Sequence, residues 1–334
     1  MKIVLFLGAG FSAPFGLPVM DKFTRVAHDS GRLSKEDLEF LDELIREARS
    51  ANAFLLSSPT NLEDILSLAV MQDRLEVQGA GFPRTPRIIQ ILQKIYTTPG
   101  NPDDFWGRLG VLEDFLGDAL IKPQNSLSVI TTNYDLMVES AFYRIQTPLS
   151  LVQEFRPYPD DTNVQVHGKL YSESGPSLYK LHGSVNWFLV NDSLCVESRV
   201  VGVQSQKWDA KLPRVCTKNY KPADIPLIVP PSFLKPDLKG PLTRIWSGAA
   251  KSLLEADQLV FIGYSFPSSD TEMKYFLASS LVDNAQIRRI DVFDLHAQQL
   301  CEKLSASNSG FGNHFTGLLK PISGDWTQAK LELA

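Results

Sequence analysis

Asn133 and His182 are the two side chains of this sequence best suited to act on a bond. Asn133 lies in Thr131-Thr132-Asn133-Tyr134-Asp135, directly after the apolar run that ends at Thr131. His182 lies in Lys180-Leu181-His182-Gly183-Ser184-Val185-Asn186-Trp187. A primary amide can hold a hydroxyl or a water through either of its ends, and an imidazole can take a proton near neutral pH. Two further motifs carry no reactive group but shape a ligand site. Gly8-Ala9-Gly10-Phe11-Ser12, continuing to Gly16-Leu17-Pro18, follows the apolar run Ile3–Leu7. Glycines there let the backbone turn sharply and approach a pyrophosphate, with a following helix N-terminus to offer free N–H groups. Gly263-Tyr264-Ser265-Phe266-Pro267-Ser268-Ser269-Asp270 follows a second such run. Singly, each motif has a plain structural explanation: Asn133 as a helix cap, His182 as a hydrogen-bonded core residue, the glycines as turns. The glycine spacing also departs from G-x-G-x-x-G, since position 13 is Ala and the next glycine is Gly16.

Together, and in this order, the motifs resemble the sirtuin (Sir2-like) family over residues 3 to about 296. The resemblance implies that Gly8, Ala9, Gly10, Ser12, Gly16, Leu17 and Pro18 grip the diphosphate of NAD. It implies that Thr131, Asn133 and Asp135 line the nicotinamide-ribose pocket, and that His182, with Gly183 and Ser184, supplies the catalytic imidazole. Gly263 and Ser265 then touch the adenosine half, as does the end of the run Ile290–Asp294. Asp294 is the candidate acceptor for the adenosine ribose hydroxyls, with a helix cap before Leu295-His296 as the competing role. Asp135 either positions Asn133 or caps the next helix, and the two roles stand equal. A second His-Gly pair, His167-Gly168, lacks the Ser and Asn-Trp that follow His182, so His182 is preferred. His28, His296 and His314 have no motif around them.

The departures from the family set the function. Protein-deacylating sirtuins carry two C-x-x-C pairs for zinc, whereas Cys195, Cys216 and Cys301 are widely spaced. The Asp-Phe-Arg of those enzymes is replaced by Asp21-Lys22-Phe23, and their T-Q-N glutamine is Thr132. The forms of the Lys180–Trp187 and Gly263–Asp270 segments, with Val229-Pro230-Pro231, are similar to the Sir2-like domains of bacterial anti-phage defence. That resemblance implies an NAD hydrolase without a metal, giving nicotinamide and ADP-ribose. It implies a toxic effector restrained as a homo-oligomer or by a separately encoded partner, such as a HerA-type ATPase or an Argonaute-like protein. Two other readings remain: a zinc-free protein deacylase or ADP-ribosyltransferase, and a non-catalytic NAD or ADP-ribose sensor.

The elements that must hold these residues are buried strands. Ile3–Leu7, Ser128–Thr131, Gln258–Gly263 and Ile290–Phe293 are short apolar runs, and most lead into polar or glycine-containing residues. This is the pattern of strand C-ends in a doubly wound sheet. Between the first two, residues 21–122 carry helical periodicity, including Ser34–Arg49, a start at Asn61-Leu62-Glu63-Asp64, and the apolar face Ile88, Ile89, Ile91, Leu92 and Ile95. Gly79–Pro86 reads as a loop. Residues 147–236 are proline-rich with short β-type runs, Asn163–Val166, Leu178–Leu181 and Trp187–Val190. The expected fold is an α/β, Rossmann-like doubly wound parallel sheet, a single domain over 1–334 with a helical insertion and a small irregular β-rich region. A net charge of −5 gives no general attraction for nucleic acid or anionic lipid. No signal peptide or membrane span is evident, and a cytoplasmic location with reduced cysteines is expected.

Overall fold

The chain begins its regular structure with β1 (Lys2–Leu7), whose residues from Ile3 to Leu7 are all buried. A strand buried on both faces needs apolar side chains at every position, and Ile-Val-Leu-Phe-Leu supplies them. The computed structural model describes residues 1–55, 61–75, 83–97, 102–120, 125–144, 176–190, 193–196, 225–229, 241–267, 270–306 and 315–328. After β1 come a one-turn helix α1 (Ala9–Ser12), then α2 (Phe23–Asp29), α3 (Lys35–Leu55), α4 (Leu62–Leu75), α5 (Arg84–Tyr96) and α6 (Pro102–Leu120). Next are β2 (Ser126–Thr131), α7 (Met137–Arg144), β3 (Ser177–Lys180), β4 (Trp187–Val190) and β5 (Ser193–Val196). The remainder holds α8 (Pro241–Leu254), β6 (Gln258–Ile262), α9 (Thr271–Leu281), β7 (Arg289–Asp294), α10 (Ala297–Ser305) and β8 (Leu319–Ser323).

Six strands form one sheet in the order β3-β2-β1-β6-β7-β8, and every pairing is parallel. The sheet winds outward in both directions from the central pair. β1 leads to β2 and β3 on one side, and β6 leads to β7 and β8 on the other. The winding direction reverses between β1 and β6, so their C-terminal ends open the crevice where α/β sheets bind ligands. α8 packs on β2 and β3, α6 on β2, and α10 on β7 and β8. This is the Rossmann-like α/β fold expected from the sequence.

Several boundaries differ from expectation. Leu178–Leu181 belongs not to a separate β-rich region but to the main sheet, as edge strand β3 beside β2. β8 is an additional strand at the other edge. Its pattern Leu-Lys-Pro-Ile-Ser is largely exposed, and Pro321 is tolerated where a strand has one free side. Of the expected Gly79–Pro86 loop, residues 79–82 lie outside the described residues, and Arg84–Pro86 already belong to α5. Pro86 sits in its first turn, where the missing N–H has no intrahelical partner to lose. Asn163–Val166, His167-Gly168, Pro230-Pro231 and His314 lie outside the described residues. Within 147–236 the described residues add an antiparallel hairpin, β4 with β5, to β3.

Within 21–122 the described segments are helical. Two begin with reciprocal caps. Ser34 Oγ accepts from the Asp37 N–H at 3.2 Å while Asp37 accepts from the Ser34 N–H at 3.3 Å. Asn61 and Asp64 do the same at 3.1 and 2.9 Å. Arg84 then binds three helices together. Its guanidinium donates to Glu43 and Glu47 of α3 at 2.7 Å each and to Gln72 of α4 at 3.0 Å.

Candidate functional site

The turn after β1 is built backbone against backbone. Gly263 has φ +61, and a Cβ there would lie 2.2 Å from the Phe11 nitrogen. A Cβ on Gly8 would lie 2.5 Å from the Gly263 oxygen, and one on Gly10 2.8 Å from the Gly263 Cα. Only glycines allow the β1 and β6 ends to approach so closely. Hydrogen bonds follow from the contact: Gly8 N–H donates to Ile262 at 3.0 Å and Gly10 N–H to Gly263 at 2.9 Å. Gly16 has φ 73, a left-handed turn that sends the chain on to Leu17-Pro18.

Asn133 is fixed by that turn. Its Nδ2 donates to the Gly8 carbonyl and to Ser12 Oγ, both at 2.9 Å. Gly8 O can only accept, so the amide orientation is set: both N–H donors are used and Oδ1 is left as the acceptor. Among the described residues no group donates to Oδ1. Ser12 in turn donates to Asp135 Oδ2 at 2.6 Å. Asp135 is buried, and its Oδ1 accepts from the Met137 N–H at 3.0 Å at the start of α7. It therefore fills both roles that were open for it: it caps α7 and, through Ser12, holds Asn133. Thr131 supports the same turn, accepting from the Asn133 N–H at 3.0 Å.

His182 leaves the neighbouring strand at the matching point. Thr131 and Lys180 are register partners, and Asn133 and His182 each lie two residues beyond them. His182 is buried, with its ring centroid 6.3 Å from that of Trp246. Its backbone is tied down on both sides. Val229 N–H donates to the His182 carbonyl at 2.8 Å, and Trp246 Nε1–H donates to the Leu181 carbonyl at 2.8 Å. Gly183 has φ +80, and a Cβ would lie 2.0 Å from the Leu227 oxygen, which explains the glycine after the histidine. Ser184 is buried and donates to Asn186 at 2.7 Å. Tyr134 joins the segments, donating its hydroxyl to the Val229 carbonyl at 3.0 Å. Burial holds that phenol well above its usual range, so it acts as a fixed donor.

A cavity of about 530 Å³ opens at the C-terminal ends of β1, β6 and β7, and neither Asn133 nor His182 is among its lining residues. Its volume is in the range of ligand sites for small molecules and cofactors. Gly10, Gly16, Leu17, Pro18, Gly263 and Asp294 line it. Asp294 also accepts from the His296 N–H at 2.9 Å, so it caps the turn before α10 while facing the cavity. Gly8 and Ser12 do not line this space; they belong to the Asn133 network. Ser265 is exposed and is not among the lining residues. Two contributions were not legible in the motifs. Gly324, Asp325 and Trp326 form one wall, and Trp326 stacks on Phe11 with centroids 4.9 Å apart and donates Nε1–H to the Phe11 carbonyl at 3.1 Å. Lys180, seen only as a neighbour of His182, is buried beneath the Asn133 turn.

Residues 127–300 match the family described as SIR2-like domain. No curated protein matches the chain in sequence. Among solved structures, a Sir2 homologue mutant in complex with ADP-ribose is 12% identical with a TM-score of 0.39, over 98% of this chain and 87% of that one. Sir2Tm bound to a propionylated peptide is 13% identical with a TM-score of 0.34, over 98% and 89%. A Sir2 homologue triple mutant with 2′-O-acetyl ADP-ribose is 14% identical with a TM-score of 0.36, over 98% and 87%.

Proposed function

Because the chain belongs to the SIR2-like domain family, we propose that it binds NAD and hydrolyses its nicotinamide–ribose bond, releasing nicotinamide and ADP-ribose. The observation that carries this reading is the fixed amide of Asn133, with both N–H groups engaged and Oδ1 left as an acceptor. An acceptor there can hold a water or a ribose hydroxyl by its proton and direct the oxygen lone pair at the ribose C1′. The C1′–N bond breaks with its electrons passing to the already cationic nicotinamide ring, so no strong acid is needed. The water oxygen forms the new bond to C1′, and His182 is the base that takes the released proton. The cavity at the strand ends, lined by Gly10, Gly16 and Gly263 and edged by Asp294, fits the diphosphate and adenosine half.

The forms of the Lys180–Trp187 and Gly263–Asp270 segments support placing the enzyme in anti-phage defence. An NAD hydrolase of that kind must be restrained, so the reading includes a homo-oligomer and a separately encoded regulator of the HerA-type ATPase or Argonaute-like kind. Incubating the purified chain with NAD, with and without its regulator, tests the proposal. Nicotinamide and ADP-ribose should appear in equal amounts without any acylated peptide. Release only when an acyl-lysine peptide is added would instead identify a deacylase, and saturable binding without turnover a sensor.

A further inference from the structure

Lys180 is a long cation with nearly no exposure: 1% of its surface remains accessible. It sits at the C-end of β3, where the proposed reaction gives it no part. Its Nζ has three acceptors and no other described partner: the Tyr134 carbonyl at 3.4 Å, the Asp135 carbonyl, and Glu139 Oε1 at 2.8 Å. Three acceptor-only groups for three N–H donors describe an ammonium. Two of the three are consecutive backbone carbonyls of the turn that carries Asn133. The third belongs to α7, the helix which that turn starts. Glu139 is itself buried, and burial pushes its carboxyl pKa up, the Lys180 ammonium opposing only part of that rise.

A buried ion pair of this kind is a poor way to gain stability, because desolvating two charges offsets most of their attraction, and an apolar pair of similar volume often serves as well. Its geometry instead serves position. From this we infer that Lys180 is a positioning residue: its ammonium clamps the 134–135 backbone to the end of β3, fixing the Asn133 turn relative to His182. The same backbone accepts from the His182 segment, since Val185 N–H donates to the Tyr134 carbonyl at 3.1 Å. Losing the clamp loosens the Asn133 turn, while the glycine junction and cavity, built on β1, β6 and β7, stay in place.

The inference rests on the NAD-cleavage reading for its kinetic consequence, but not for its structural one. The test compares wild type, Lys180→Met, and the double variant Lys180→Met/Glu139→Leu. The single variant leaves Glu139 buried without its cation and is expected to fold poorly. The double variant removes both charges and should recover a cooperative transition near that of wild type. In the double variant, ADP-ribose affinity should stay within about threefold while kcat for nicotinamide release falls about 100-fold, the size of a misplaced catalytic group. Amide hydrogen exchange gives an activity-free readout. The Val185 and Met137 amides should exchange at least about tenfold faster, with those of β1 and β6 unchanged. Recovery of both kcat and amide protection with stability would mean that the pair is only structural and would overturn the inference. If wild type releases no nicotinamide but the two amides lose protection in the double variant, the clamp stands and the hydrolase reading fails. If protection at those amides is unchanged, the clamp is refuted whatever the activity.

Discussion

In the proposed reaction, Asn133 takes its role from what its other atoms are made to do. Asparagine presents a donor end and an acceptor end, and here the Gly8 carbonyl and Ser12 Oγ take the donor end. Replacing Asn133 by Ala removes the acceptor and should lower NAD cleavage by about 10²-fold or more with the thermal transition little changed. Replacing it by Asp should be worse for the fold, because a carboxylate oxygen would then face the Gly8 carbonyl, and thermal denaturation alongside nicotinamide release separates the two effects. The glycines allow a paired test. Gly263→Ala puts a Cβ 2.2 Å from the Phe11 nitrogen at φ +61 and should cost more than about 2 kcal/mol in urea unfolding. Gly110→Ala, within α6 with nothing within 4 Å of its Cβ, should stabilise by about 0.5–1 kcal/mol. Gly263 follows an apolar run and Gly110 lies in a helical stretch, but neither setting says whether a Cβ would fit. What distinguishes them is a contact between residues some 250 positions apart, which no local pattern encodes.

The elements were legible where one element's own sequence decides its state. β1 and β6 are apolar after their first residue because they are buried on both faces, β2 and β7 keep shorter apolar stretches, and the helices of residues 21–122 announce themselves by Ser34 and Asn61 caps. β3 was harder to place. Ser-Leu-Tyr-Lys is short, and only its partner β2 reveals that it closes the main sheet rather than a side region. β8 was missed because an edge strand exposed over most of its length carries neither an apolar run nor a clear alternation. A titrating contact joins α2 to α3. His28 Nδ1 faces the Thr24 carbonyl at 2.7 Å and Nε2 faces Asp42 at 2.9 Å, so both ring nitrogens meet acceptors. The Thr24 carbonyl foremost, with Asp42, raises the His28 pKa above 6.5. A raised pKa means that the folded state binds the proton more tightly. The stabilisation is therefore full below about pH 6.5 and is lost as pH rises through the folded-state pKa. The pair is exposed, so the effect is a few tenths of a kcal/mol to about 1 kcal/mol. Thermal midpoints measured across this range should fall more for wild type than for His28→Gln, whose profile should lack that step.

At the scale of the whole molecule, the site is where distant parts of the chain meet. Its C-terminal wall came from residues beyond the motifs, because Trp326 acts by stacking and by a bond to a backbone carbonyl, which leave no signature in sequence. Trp326→Ala should cost about 3–5 kcal/mol and weaken ADP-ribose binding, since it removes both a packed ring and one wall of the cavity. Calorimetric titration with ADP-ribose on the folded fraction checks the second effect. The proposed assembly belongs to this scale as well: light scattering over a concentration series should give a mass above that of one chain, and a strictly monomeric, fully active species would remove self-association from the proposal. The sheet order carries one more consequence, for the moment of synthesis. β1 is the centre of the sheet, yet one of its two neighbours, β6, lies about 250 residues further along. At about 5–20 residues per second, the ribosome needs some tens of seconds to deliver that neighbour. For that interval an entirely apolar strand, Ile-Val-Leu-Phe-Leu, has left the ribosome with one side of its backbone unpaired. The nascent chain is thus most exposed to misassociation at the strand that later lies deepest, and a holding chaperone would matter most to its yield during that wait.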